Sequence, residues 1–437
     1  MAKRPKRKII KIGEDDEIRL SDDEFLMLKL ITESKFLSVD QIYSFISRSN
    51  KTNKKSLRDK LVRWASLDVL AVNPVYLGRN GVKVYYFRIG SKGIEILIKN
   101  GYAPKDWYDL RISDFFREKQ QLHTIATQEM VTNTLILLDY NEQITSKPAS
   151  SISLWNNEGN KIIIPDWIFS KDNHYLNIEI DTGSQEHDVL KDKITNYIQL
   201  AEKYPEQNHS VLFVVVDESL PVLEVKHKNR DKRVGNIKQT VIEQTEQLNI
   251  ENLNLYVVSL YRAHGVAARV LLGETPLDTQ QIGIEVTTIQ KVLEYNNKFK
   301  DEYDVNTING DSIYMYHTPS HLYADLILSV SNKAKTIQEK VFVVLLEEGY
   351  MTGLKKLHYL HSVMKSELRE KVDKIIGVYK RKEEMEHDRL GELYPNLLVG
   401  VIGDLVEQME SEPKFYTMAN KVRLEAVTFE RTTYVDK

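Results

Sequence analysis

The chain has 437 residues, 42% of them hydrophobic, a formal net charge of −3 and no cysteine. That length predicts roughly two to four domains, each able to bury a core. The near-neutral balance confines nucleic-acid affinity to local basic patches, and the missing thiols exclude disulfides, thiolate metal sites and cysteine nucleophiles. Apolar runs such as Val211–Val216 are too short to span a bilayer, and Met1–Lys8 has no apolar segment behind its charges. Neither a membrane anchor nor a secretory leader is expected, and the cytoplasm is the expected compartment.

Residues 1–20 read as a basic arm carrying Lys3, Arg4, Lys6, Arg7, Lys8 and Lys11. Such an arm is either a solvated tail or a phosphate-binding segment that orders on DNA, and the character of residues 21–104 favours the second. From 21 to 104 the pattern is that of a winged helix-turn-helix. Ser21 with Glu24 three residues on is a helix cap, and Phe25, Leu28 and Ile31 supply a buried stripe. A second short helix starts at Leu37–Asp40, and a third spans Lys54–Leu67 with Leu57, Leu61 and Trp64 inward. Two strands, Val69–Leu77 and Val82–Ile89, meet at a Gly78–Gly81 turn, and a helix at Ser91–Asn100 closes the unit. The third helix turns Lys54, Lys55, Arg58 and Arg63 outward for the major groove, while Arg79 and Lys83 belong to the wing. A protein-docking winged helix is the alternative, and the basic surface argues against it.

Residues 105–265 read as an α/β unit. Helices over Leu110–Tyr140 carry His123, and a lone helical histidine is more often structural than a ligand. Two apolar runs, Ile162–Phe169 and Tyr175–Ile180, flank a polar break and predict a hairpin. In the second run Leu176, Ile178 and Ile180 alternate with Asn177, Glu179 and Asp181, so Glu179 and Asp181 share a face. A turn centred on Asp172-Asn173 places Asp166 across from Glu179. Three like charges so close repel, and Mg²⁺ or Mn²⁺ would relieve that. A merely solvated polar face is the plainer reading, since acids at period two are common on exposed strands. A helix at Asp188–Lys203 presents Lys193 and Tyr197 four apart on one face. Beyond it come a strand at Val211–Val216, a helix at Arg230–Leu248 with Arg233 and Lys238, and a strand at Leu253–Leu260.

This order, with Pro165-Asp166 and Glu179-Ile180-Asp181, resembles the PD-(D/E)XK nuclease superfamily over residues 20–262. More narrowly, the preceding winged helix and the lysine on the following helix resemble the replication-relaxation family of plasmid and conjugative elements of Gram-positive bacteria. The resemblance implies Asp166 and Glu179 as Mg²⁺ ligands. It departs at the expected lysine, where Asp181 stands, and Lys193 is the candidate substitute.

Residues 280–405 echo this unit. Tyr323–Ser329 parallels Ile164–Ser170, with Asp325 at the place of Asp166, and Lys355 with Tyr359 repeats the spacing of Lys193 with Tyr197. The acids match less well, so a second, degenerate nuclease-like module is expected, with 406–437 a C-terminal extension. The fold class is thus mixed α/β. The expected function is DNA binding at a plasmid origin in replication, relaxation or conjugative mobilisation, with metal-dependent nicking by Asp166, Glu179, Asp181 and Lys193. The alternative is an inactive nuclease fold in a DNA-binding replication or transcription regulator. The expected partner is double-stranded DNA, with a homodimer left open. A histidine-metal relaxase with a tyrosine nucleophile lacks a His-x-His ligand pair, although tyrosines are plentiful at 23.

Overall fold

The computed structural model describes residues 7–13, 16–47, 52–77, 82–112, 115, 121–139, 143–148, 156–157, 160–161, 163–183, 187–220, 230–246, 248–336, 338–364, 367–418 and 424–429. Strands β1 (Lys8–Lys11) and β2 (Glu17–Leu20) form an antiparallel ribbon. Ile18 and Leu20 are buried in the adjoining core, so residues 8–20 belong to the first unit and are not the free arm expected. Helix α1 (Asp22–Glu33) begins where Glu24 Oε2 accepts from Ser21 N at 2.9 Å. Then come β3 (Leu37–Ser38), α2 (Val39–Ser47), α3 (Lys54–Ser66), β4 (Leu70–Leu77), β5 (Val82–Ile89) and α4 (Ser91–Lys99). Asn53 caps α3 by accepting from Lys55 N at 2.8 Å. The sheet order β3-β5-β4 puts Pro74 on an edge strand, where its missing donor is harmless.

The second unit runs α5 (Gln121–Leu137), β6 (Thr145–Lys147), β7 (Asn156–Asn157), β8 (Asn160–Lys161), β9 (Trp167–Lys171), β10 (His174–Asp181), α6 (His187–Lys203), β11 (Asn208–Val215), α7 (Arg230–Thr245), β12 (Leu253–Ser259) and α8 (Leu260–Leu272). Its five-stranded sheet has the order β12-β11-β10-β9-β6, parallel from β10 to β12 and antiparallel elsewhere. The third unit runs α9 (Thr279–Tyr295), α10 (Asn297–Glu302), β13 (Tyr303–Thr307), β14 (Leu326–Asn332), β15 (Gln338–Leu346), α11 (Met351–Val363), β16 (Lys374–Tyr379), α12 (Lys382–His387), β17 (Leu397–Val401), α13 (Ile402–Glu407), β18 (Phe415–Met418) and β19 (Leu424–Val427).

The two α/β sheets share one topology. Order β17-β16-β15-β14-β13 repeats β12-β11-β10-β9-β6 with the same parallel and antiparallel steps, and β18 and β19 extend the far edge. One apolar core takes a face of each sheet together with α6, α7 and α11. The opposite face of the five-stranded sheet packs with α5, α8 and the whole first unit, and that of the seven-stranded sheet with α9 and α13. A chain break at 104 therefore does not divide the core. The outer edge of β12 is closed by the third unit: Val257 N donates to Gly349 O at 2.9 Å, and Tyr256 bridges Tyr350.

Candidate site on the central hairpin

The hairpin that carries the acids turns at Asp172-Asn173, with Asp172 in the left-handed region at φ 51°. Trp167 pairs with Ile178, so the next rung sets Asp166 opposite Glu179. Asp166 N donates to Ile178 O at 2.9 Å, and Asp166 Oδ2 accepts from Ile180 N at 2.7 Å. The carboxylate thus closes the open end of the two-stranded ladder.

Strand β10 is buried on both faces. Leu176, Ile178 and Ile180 enter one core, while Asn177, Glu179 and Asp181 point to the opposite side at 0%, 2% and 5% exposure. The solvated-face reading does not hold. Burying an unpaired charge is costly, and each acid has a partner. Glu179 Oε2 accepts from Lys193 Nζ at 2.6 Å and Glu179 Oε1 from Tyr197 OH at 2.6 Å. Both donors come from α6, four residues apart on one face. Asp181 takes Arg233 of α7 through Nε at 2.6 Å and Nη2 at 3.2 Å, and Gly183 N at 3.1 Å. Asp166 Oδ2 also faces His123 Nε2 of α5 at 3.0 Å.

The electrostatics follow from this packing. Burial pushes the Glu179 carboxyl above its ordinary range, and the Lys193 and Tyr197 donors only partly counter it. Burial pulls Lys193 down, but Glu179, Asp166 and Asp181 outweigh it, so the ammonium titrates above its ordinary value. His123 is likewise lowered by burial and raised more by Asp166, ending above its usual value. Burial, with Glu179 alongside, lifts Tyr197 well above the ordinary phenol range.

The structure brings Asp166, Glu179 and Lys193 together as the sequence leads one to expect, but turns Asp181 to Arg233. Of the six carboxylate oxygens, five are engaged by protein donors, and only Asp166 Oδ1 has none among the described residues. A hard cation needs several free oxygens, and entry here would displace Lys193 or Arg233. Among the described residues no group of three or more His, Asp or Glu side chains is disposed to hold a metal ion. As arranged, these residues do not fit the expected three-carboxylate Mg²⁺ or Mn²⁺ site. The repulsion that called for an ion is relieved by the protein's own cations.

Sequence reasoning treats His123 as structural and gives Arg233 no role at the site. Each meets its acid across a long sequence separation, 43 residues for His123 and 52 for Arg233, which leaves no local spacing signal.

In the third unit Asp325 N donates to Val343 O at 2.9 Å, Asp325 Oδ2 accepts from Leu345 N at 2.8 Å, and Lys356 Nζ donates to Asp325 Oδ1 at 2.5 Å. The two backbone hydrogen bonds repeat those of Asp166, whereas the lysine contact differs, since Lys193 donates to Glu179. Extending the ladder by one rung places Val344 where Glu179 stands, and Leu346 two further on where Asp181 stands. Lys355, expected to match Lys193, instead donates to Thr245 O at 3.4 Å.

On α3, Lys55 and Arg58 are exposed and have no ion pair among the described residues. Lys54 pairs with Asp40, and Arg63 donates to Glu17 O at 3.4 Å. Lys83 lies on β5 opposite Tyr76, and Arg79 lies outside the described residues.

The sequence model of the replication-relaxation family matches residues 28–216, a span that runs from within α1 through the acid-bearing hairpin to the end of β11. Over this span, somewhat under half of its length, the chain is similar to that family, whose description points to a role in replication or relaxation. No curated protein matches the chain. Among the described residues no helix is long and apolar enough to cross a membrane.

Proposed function

We propose that the protein is a DNA-binding factor of plasmid or mobile-element replication, relaxation or transfer, in which a PD-(D/E)XK-like unit serves as a scaffold and not as a Mg²⁺-dependent nickase. Helices α1 to α3 with strands β3 to β5 follow the order of a winged helix-turn-helix, which supports placing α3 in the major groove of a plasmid-origin duplex. Lys55 and Arg58, exposed and unpaired among the described residues, are the phosphate contacts this reading names first. The observation that carries the scaffold role is the pairing of Glu179 and Asp181 with Lys193 and Arg233 inside the core. The third unit supports it as a degenerate copy: Asp325 keeps both backbone hydrogen bonds of Asp166, and Lys356 still ties α11 to the sheet, where both neighbouring acids are aliphatic. A motif that survives without them serves to fasten helix to sheet.

Two measurements test this. In EDTA, the full chain should shift duplex origin DNA. Changing Lys55, Arg58 and Arg63 together to glutamine should weaken binding strongly and flatten the log–log salt slope by up to about 3, since each lost phosphate contact removes about 0.9. An unchanged affinity and slope would remove α3 from the interface. Supercoiled plasmid incubated with the protein and Mg²⁺ or Mn²⁺ should stay supercoiled. Nicking that disappears in both Asp166→Ala and Glu179→Ala would overturn the scaffold reading and give these residues, with Lys193, a catalytic role.

A further inference from the structure

A cleft of about 730 Å³ opens between the second and third units, beside Asp217 and Ser259 where β11 and β12 end. Its size is that of a small-molecule site, and the carboxyl ends of parallel strands are where open α/β sheets hold ligands. Helices α7 and α8 both begin in its wall, so their first peptide dipoles add positive potential there.

The wall contains acids, but nearly all are engaged. Asp217 accepts from Ser219 N and from Tyr261 N, each at 2.9 Å. Asp231 holds Arg389 at 2.8 Å. Glu348 takes Arg262 at 2.7 and 2.9 Å and Arg269 at 3.0 Å. Asp388 takes Lys238, Tyr379 OH at 2.9 Å and Gly349 N at 3.2 Å. Arg230 is different. Its side chain is only 11% exposed. Nη1 lies 2.8 Å from Glu218 Oε2 but out of line for a hydrogen bond, and Nη2 has no acceptor among the described residues. Buried guanidinium donors without acceptors are a standing cost that an anion removes, and phosphate matches the guanidinium fork. In the same cleft Tyr261 is 54% exposed and leans on His387, ring centroids 5.8 Å apart, which leaves an aromatic face open to stacking.

We propose that this cleft binds a nucleotide, with its phosphate on Arg230 and its base against Tyr261. The same chemistry is offered by a free nucleoside monophosphate and by a phosphorylated DNA end. The site is separate from the central hairpin and from α3, so it does not depend on the function proposed above. The test is calorimetric titration of the full chain, in EDTA, with dAMP, inorganic phosphate and a short 5′-phosphorylated single strand. Saturable binding of dAMP or the oligonucleotide is expected, at least tenfold weaker in Arg230→Gln. Tyr261→Ala should weaken dAMP binding more than phosphate binding. An oligonucleotide that binds tighter than dAMP identifies a DNA end as the ligand, and the reverse order identifies the free nucleotide. Absence of saturable binding by the wild type, or full affinity in a folded Arg230→Gln, would overturn the proposal. Should Arg230→Gln fail to fold, the exposed Tyr261→Ala decides, and unchanged dAMP affinity there is equally fatal.

Discussion

Lys193 donates to a glutamate that is almost wholly buried, so its charge stabilises the fold chiefly by what its removal would leave behind. Lys193→Met strands Glu179 and should cost about 3–5 kcal/mol in urea unfolding, whereas adding Glu179→Leu should recover much of it, because an apolar pair can replace a buried ion pair. A double-mutant cycle with no recovery would mean that Glu179 has other partners of equal weight. The same single variant frees oxygens toward Asp166, so Mn²⁺ should raise its melting temperature but not that of the wild type. His123 gives a pH signature. Its folded pKa is raised, so its pairing with Asp166 adds stability that is fully present below the ordinary histidine value of 6.5 and is lost as pH rises through the higher folded value. His123→Gln should therefore lower the melting temperature at pH 6 and have little effect at pH 9. An equal loss at both values would assign the histidine a packing role only.

At the level of elements, the hairpin was legible because Asp172-Asn173 fixes the turn and the period of two fixes the faces. The burial of Glu179 was not, because a strand with polar residues on one face reads alike whether that face meets water or another helix layer. Here the covering layer is α6, closed from beyond by the third unit. In the third unit Lys356, not Lys355, reaches the sheet, and it meets Asp325 rather than the counterpart of Glu179; helix α11 begins five residues after β15 ends, whereas α6 begins six after β10, so lysine–tyrosine spacing alone does not match positions on the two helices. Helix α7 meets the third unit backbone to backbone at Gly235 and Gly391, where a Cβ on Gly235 would stand 2.9 Å from Gly391 Cα. Gly235→Ala should destabilise by about 1–3 kcal/mol through this overpacking, read as a lower urea midpoint. A neutral substitution would show that the two units shift apart at no cost.

Across the whole molecule, the cores refuse the division that chain breaks suggest. Gln41 Nε2 donates to Glu129 Oε2 at 2.8 Å, and Gln128 Nε2 to Ser34 O at 2.5 Å, tying the three-helix unit to α5. Lys238, fully buried on α7, pairs with Asp388 of the third unit. Hydrogen-exchange protection in α1, β10 and β15 should accordingly be lost at one denaturant concentration. Separate midpoints would restore independent domains. Sequence periodicity has no means of joining the units, since each tie spans scores of residues.

The closure of β12 by Gly349 bears on how the protein survives at high concentration. A bare outer strand of a sheet offers unpaired backbone groups to any neighbouring chain and invites aggregation. Gly349 holds φ +74°, and a Cβ there would stand 2.3 Å from Val258 Cγ1, so only glycine lets the loop lie against the strand. Gly349→Val should lift the loop, bare Val257 N, and produce concentration-dependent, sheet-rich association visible by light scattering and thioflavin fluorescence, with the loss of soluble protein preceding any loss of secondary structure.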